Sequence, residues 1–153
     1  MSFRRRRAWM GGYPLRGLTL RQEKGPRMKP ITPSTIARPF ARYSHAMEVP
    51  EGSRLVLCSG QLGMDADKGI PADVEGQARL CFQNIGKILA EAGMDFSNLV
   101  RINAYVTGRE HMAGYMKVRD EFTQDPPPAS TLMIVSGFTR EEFVVEVEVI
   151  AAG

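Results

Sequence analysis

Apolar positions fall into clean periods only from about residue 42 onward. Tyr43 to Val49 reads as a strand, closed by a turn at Pro50-Glu51-Gly52-Ser53. Leu55-Val56-Leu57-Cys58 is an uninterrupted apolar run, the pattern of a strand buried on both faces. It leads into Ser59-Gly60-Gln61, and a loop covers Met64 to Pro71. Over residues 73–92, Val74, Ala78, Cys81, Ile85, Ile88, Leu89 and Ala92 recur at spacings of three and four, which predicts an amphipathic helix. Asp73 and Glu75 stand where the helix dipole favours acids, and Gly93 stands where a C-terminal cap belongs.

Residues 99–106 alternate, with Val100, Ile102, Ala104 and Val106 on one face and Leu99, Arg101, Asn103 and Tyr105 on the other. A second helix is predicted over 110–123, with Met112, Tyr115, Val118 and Phe122 inward, stopped by Asp125-Pro126-Pro127-Pro128. Thr131 to Val135 and Phe143 to Ile150 read as strands. The order is ββαβαββ with room for an additional N-terminal strand. This is an α+β fold with two helices on one face of a mixed sheet.

The last strand is unusual. Val145, Val147 and Val149 point one way, and Val144, Glu146, Glu148 and Ile150 the other. Arg101, Asn103 and Tyr105 form a similar mixed face. Such a face is too apolar for open water and too polar for a dry core. It points to an oligomer that packs sheet faces together with charges paired or lining a cavity; a solvated face is the alternative.

Charge divides the chain. The whole carries +3, but residues 1–30 hold nine basic residues and one acid, and the remaining 123 hold eleven basic and sixteen acidic residues. The body, residues 31–153, is therefore acidic, which argues against nucleic acid as its partner. Residues 1–30 show no strand or helix period and carry six glycines and prolines before Pro30, so they read as a disordered extension. That extension is an electrostatic arm, an import peptide, or a stretch upstream of a functional start at Met28. No apolar window is long enough for a membrane span. Cys58 and Cys81 do not make a disulfide scaffold, and His45 and His111 have no partner at metal-ligand spacing.

Tyr43-Ser44-His45-Ala46, Ser59-Gly60-Gln61, Pro71-Ala72-Asp73-Val74 with Gln77, Asn84-Ile85, Pro128-Ala129 and Val145-Glu146-Val147-Glu148 occur in the order and spacing of the Rid/YjgF family, the reactive intermediate deaminases. The chain resembles that family from about Ile36 to Ala151. The resemblance implies a chorismate-mutase-like fold and a cytoplasmic homotrimer with small-metabolite pockets in the clefts between subunits. It implies hydrolysis of imines and enamines to a keto acid and ammonia, with no metal or cofactor.

Position by position, Tyr43 matches the family's pocket tyrosine, and Ser59 and Gly60 its backbone site. Glu146 matches the glutamate that positions water. Leu132 matches a small or sulfur-bearing pocket residue, and Met116 the pocket asparagine of some members. The departure is Ser130, which stands where the family's carboxylate-binding arginine belongs. A guanidinium makes two charge-assisted hydrogen bonds to a carboxylate, each contributing about 1.5–3 kcal/mol, where serine offers one neutral donor. The expected loss on a 2-imino acid is roughly 100-fold or more in kcat/KM. Arg42, Arg101 and Arg140 are candidate replacements, although Arg101 reads more simply as an ion-pair partner of Glu146 or Glu148. The expectation is an imine or enamine deaminase weak on 2-imino acids, or a non-catalytic metabolite-binding trimer. A ribonuclease, an activity attributed to some relatives, is disfavoured by the acidic body and the lack of clustered His and Lys.

Overall fold

The computed structural model describes residues 28–153. The basic segment before Met28, with every reading of it given above, lies outside them. Strands β1 (Lys29–Ile31) and β2 (Ala46–Glu48) form an antiparallel pair. The boundary drawn at residue 30 thus falls inside a strand, the additional N-terminal one. Then follow β3 (Leu55–Leu62), helix α1 (Val74–Glu91), β4 (Leu99–Val106), helix α2 (Met112–Phe122), β5 (Ala129–Ile134) and β6 (Val145–Ala152).

The main sheet has the order β3-β6-β4-β5. β6 is antiparallel to both β3 and β4, while β5 runs parallel to β4. The parallel step requires a crossover, which α2 provides. The sheet is mixed, as expected.

Helix α1 starts where its sequence says it should. Asp73 accepts a hydrogen bond from the Gly76 amide at 2.8 Å. Gly93 follows the helix at φ 71°, a left-handed conformation that glycine adopts without a Cβ penalty. Ala78, Cys81, Phe82, Ile85 and Leu89 are buried against Ile102, Ala104, Val106, Val145, Val147 and Val149 from the sheet. Phe82 also stacks on Phe122 with centroids 5.1 Å apart, tying the two helices together. Both cysteines are free and buried. Desolvation pushes the Cys81 thiol up to about 12 and raises the Cys58 thiol as well.

Five details correct the sequence reading. Ile88, read on the inner stripe of α1, is exposed. Leu55 and Leu57 are 56% and 72% exposed, so β3 is covered on one face only. It is an edge strand, and the helices lie on just one side of the sheet. β3 also continues through Ser59-Gly60-Gln61, with a register shift between Cys58 and Gln61. In β4 a register irregularity between Leu99 and Arg101 buries Leu99 and leaves Val100 half-buried, inverting the expected alternation at the strand's first turn. The strand read over residues 43–49 is shortened to Ala46–Glu48, with Ser44 forming a separate parallel bridge to Ala129.

Candidate functional site

Glu146 leaves β6 on the sheet face opposite the helices, since its neighbours Val145 and Val147 are fully buried beneath them. Across the β3 irregularity lies Gly60. A Cβ on residue 60 would fall on the Glu146 carboxylate, on Oε1 and 2.7 Å from Cδ. The glycine is what lets the carboxylate lie flat against the β3 backbone. Glu148, two residues on, is engaged: it accepts hydrogen bonds from Asn103 Nδ2 at 2.8 Å and from the Tyr105 hydroxyl at 3.2 Å. Partial desolvation and the bond to Glu148 raise the Tyr105 pKa. Among the described residues no hydrogen bond or ion pair reaches the Glu146 carboxylate, which sets it apart from the engaged Glu148 on the same face.

Tyr43, Ser130, Leu132 and Met116 lie elsewhere. Ser44 accompanies the start of β5, its amide donating to Pro128 O at 3.0 Å and its hydroxyl to Pro127 O at 2.6 Å. Because the Ser44–Ala129 bridge is parallel, Tyr43 lies level with Pro128 and His45 level with Ser130. Ser130 pairs in register with Ile102 and Leu132 with Ala104, both of which face the helices. Leu132 and Met116 pack on the edge of the core from that side. Glu146 aligns through Tyr105 with Met133, two strands away. At about 4.8 Å per strand and 3.3 Å per residue, Ser130 is roughly 14 Å from Glu146 and on the other side of the sheet. Within one chain the family-matched residues therefore fall into two separate groups: Gly60, next to Ser59, with Glu146 on the open face, and Ser130, Leu132 and Met116 on the helix side, with Tyr43 near Pro128.

Each of the three candidate arginines has hydrogen-bond partners of its own within the chain, and none is bonded to Ser130 among the described residues. Arg42 is spent on Asp120 O at 2.8 Å, Thr123 O at 3.1 Å and Asp125 at 3.2 Å, fastening the end of α2. Arg140 pairs with Glu142 at 2.7 Å and lies over the Phe143 ring. Arg101 donates to Asn103 Oδ1 at 2.8 Å and Thr131 Oγ1 at 2.9 Å, on the open face. The expected ion pair of Arg101 with Glu146 or Glu148 is absent among the described residues. Asn103 stands between Arg101 and Glu148, and converts the pair into a relay of neutral and charged hydrogen bonds.

Sequence reasoning quoted Gln77 without giving it a role. Its fully buried amide donates to Pro71 O at 2.9 Å and Glu142 O at 2.7 Å and accepts from the Val144 amide at 2.9 Å. It latches the loop before α1 to the entry of β6, and so helps fix the register that carries Glu146. A polar residue inside an apolar helix stripe was the available signal.

The family model described as Endoribonuclease L-PSP matches residues 35–153. The chain belongs to this family, the Rid/YjgF proteins. Among curated Rid relatives, the bovine 2-iminobutanoate/2-iminopropanoate deaminase is 34% identical over 122 residues, 77% of this chain and 86% of its own. Protein mmf2, mitochondrial, of Schizosaccharomyces pombe is 30% identical over 100 residues, 64% of this chain and 79% of its own. A solved Rid-family structure from Yersinia pestis, a protein of unknown function, superposes with a TM-score of 0.72 at 21% identity, covering 83% of this chain and 99% of its own. At that identity the likeness establishes the fold, and the fold is the Rid/YjgF α+β fold.

Proposed function

We propose that this Rid-family chain binds small neutral metabolites in clefts between the subunits of a homotrimer and hydrolyses imines or enamines there, with weak activity on 2-imino acids. The observation that carries the reading is Glu146, an unengaged carboxylate seated against the Gly60 backbone. In this reading it holds the attacking water. Adding water across C=N gives a carbinolamine, and collapse of that intermediate releases ammonia and leaves the carbonyl. Every atom comes from the imine and water, so the step asks for no cofactor.

Three features support a cleft made by two copies. The half-site with Glu146 and the half-site with Ser130 lie too far apart, and on opposite faces, to meet within one chain. The open face carries Leu55 and Leu57 at one edge, and Met133 at the other is 52% exposed, an apolar rim that association would cover. Between them the charges of Arg101 and Glu148 are already satisfied by hydrogen bonds, which lowers the cost of covering that face.

Ser130 supports the restriction on substrates. A 2-imino acid would bring its carboxylate to a site where, among the described residues, the candidate arginines are held by other partners and Glu146 is nearby. The same residue favours a second reading, a non-catalytic metabolite binder. Ribonuclease activity, which the family description names, has less support, because the body is acidic and His45 is tied to Ala37 O at 2.8 Å while His111 lies beside Glu110. No helix of the described residues is long and apolar enough to cross a membrane. The reading keeps the protein in the cytoplasm; cell fractionation that finds it in mitochondria would replace that assignment.

The test measures ammonia release from freshly generated neutral imines and from iminopropanoate, using the parent, Glu146→Gln and Ser130→Arg. The expected result is turnover that falls in Glu146→Gln, with iminopropanoate turnover rising in Ser130→Arg. Absence of turnover on every imine, with ligand binding retained, would establish the binder instead.

A further inference from the structure

Gly60 flanks Glu146 on the β3 side of the open face. On the β4 side, Tyr105 stands directly opposite Glu146 in the antiparallel register. Residues paired in this way hold their Cβ atoms about 4.5–5.5 Å apart, close enough for one side chain to limit where the other goes. The Tyr105 hydroxyl donates to Glu148 Oε1 at 3.2 Å, and the same oxygen accepts from Asn103 Nδ2 at 2.8 Å. Glu148 is opposite Asn103, so the ring runs along the groove between β4 and β6, from the level of Glu146 to the level of Glu148. Arg101 extends the tether by donating to Asn103 Oδ1 at 2.8 Å. The ring is thereby fastened along the β4 flank of Glu146. On the β3 flank, a Cβ at residue 60 would collide with the Glu146 carboxylate, and glycine leaves that place open. One flank is filled by a tethered ring, and the other is a notch that the carboxylate occupies.

We infer that Tyr105 is a positioning residue for Glu146: its ring, held by Glu148, walls off the β4 side and leaves the carboxylate the notch over Gly60. The inference rests on the proposed use of Glu146 to hold the attacking water. Tyr105 acts through Glu146 and is assigned no contact with substrate. A half-buried glutamate without such a wall has several staggered rotamers open to it. Misplacing a reacting group by about 1 Å costs on the order of 100-fold, so a carboxylate spread over several positions holds water productively for only part of the time. Removing the ring should therefore lower kcat by about tenfold or more while leaving KM within about twofold. Phenylalanine keeps the wall and loses only the tether, so it should retain most of the turnover.

The test uses the full chain with Tyr105→Phe, Tyr105→Val and Tyr105→Ala. Valine is included because it favours strands and keeps an apolar side chain on this face. Ammonia release is followed on the neutral imine that a flavin amine oxidase forms from 2-phenylethylamine, and kcat and KM are separated. Light scattering gives oligomer size. Crystal structures are solved for the parent and for a variant without the ring that keeps the parent's size. That variant should show the Glu146 carboxylate out of the notch over Gly60, with kcat lower by about tenfold or more and KM within about twofold, and Tyr105→Phe should recover most of kcat. A carboxylate that stays over Gly60 without the ring, or full turnover there while Glu146→Gln is slow, overturns the inference and leaves the proposed function standing. An equal loss in Tyr105→Phe and Tyr105→Val assigns the effect to the hydroxyl and also overturns it. A parent without imine turnover, whose Glu146 leaves the notch once the ring is removed, overturns the proposed hydrolysis and supports the inference. A changed oligomer size in both Tyr105→Val and Tyr105→Ala assigns Tyr105 to packing between copies and overturns it as well.

Discussion

Replacing Gly60 with alanine tests the Glu146 half-site without touching its carboxylate. The added Cβ would sit on Oε1, 2.7 Å from Cδ and 3.0 Å from Cγ of Glu146. Non-bonded heavy atoms settle at about 3.5–4.0 Å, so the carboxylate must swing away by roughly 1–2 Å. It is able to do so. Glu146 is half-buried on a face with no helix above it, and the clash is with the end of a flexible side chain rather than with backbone. A strained rotamer costs about 0.5–1.5 kcal/mol, so the fold should survive with a small loss of Tm. Function should not. Misplacing a reacting group by about 1 Å costs on the order of 100-fold, and a positioned general base contributes about 100-fold to 10,000-fold. The expected result for Gly60→Ala is a fall of at least about tenfold in kcat on neutral imines, approaching that of Glu146→Gln, with an intact melting transition. The double variant should be no worse than Glu146→Gln alone, because both remove the same positioned carboxylate. Full turnover in Gly60→Ala with the fold intact would show that the position of Glu146 against β3 does not matter, and would sink the reading of this half-site.

Other outcomes follow from the packing. Gln77→Leu leaves Pro71 O, Glu142 O and the Val144 amide without their partner, and should cost about 3 kcal/mol or more, read as a lower urea midpoint. Asp73→Ala removes the α1 cap and should cost about 1 kcal/mol by the same measurement. The buried Cys81 thiol ionises only near 12, against 9.0 for an ordinary thiol. Its contribution is full below about pH 9 and is lost progressively toward pH 12, by on the order of 4 kcal/mol at the upper end, so urea midpoints should fall as pH rises through that window and fall less in Cys81→Ala. Leu57→Lys places a charge on the rim assigned to subunit contact and should yield a monomer by light scattering at micromolar concentration; an unchanged size would refute that use of the rim.

The core was legible because each of its elements has one buried face and one clear period. α1 could be bounded within a residue at either end, since Asp73 and Gly93 mark its ends chemically and Ala78, Cys81, Ile85 and Leu89 mark its inner stripe. β6 could be placed because Val145, Val147 and Val149 alternate with charges. Periodicity failed where geometry is set by a neighbour rather than by the strand itself. Leu55-Val56-Leu57-Cys58 reads as doubly buried because every residue is apolar, and a pattern of residue types does not say which chain supplies the second cover. The irregularities at Cys58/Gln61 and Leu99/Arg101 are invisible for the same reason: a one-residue shift depends on the partner strand.

The same limit applies to the half-sites, and it explains why the departure at Ser130 is informative. Along the sequence, Ser130 and Glu146 stand in one family pattern and look like members of one site. In the folded chain two strand spacings and a change of face separate them. In the proposed trimer their chemistry would combine across two copies, so a charge lost at one half-site would alter the potential felt by the other chain's Glu146. With arginine at position 130, an anionic ligand would bridge a cation on one side and a carboxylate on the other. With serine the balance is gone, and Arg42, Arg101 and Arg140 are each held by other partners. In that reading, what would remain to discriminate among ligands is the shape and apolarity contributed by Leu132, Met116 and Tyr43. Under the proposed function, serine at position 130 would change the kind of ligand the cleft fits, from one anchored by charge to one anchored by side-chain contact, while leaving the Gly60 and Glu146 half untouched.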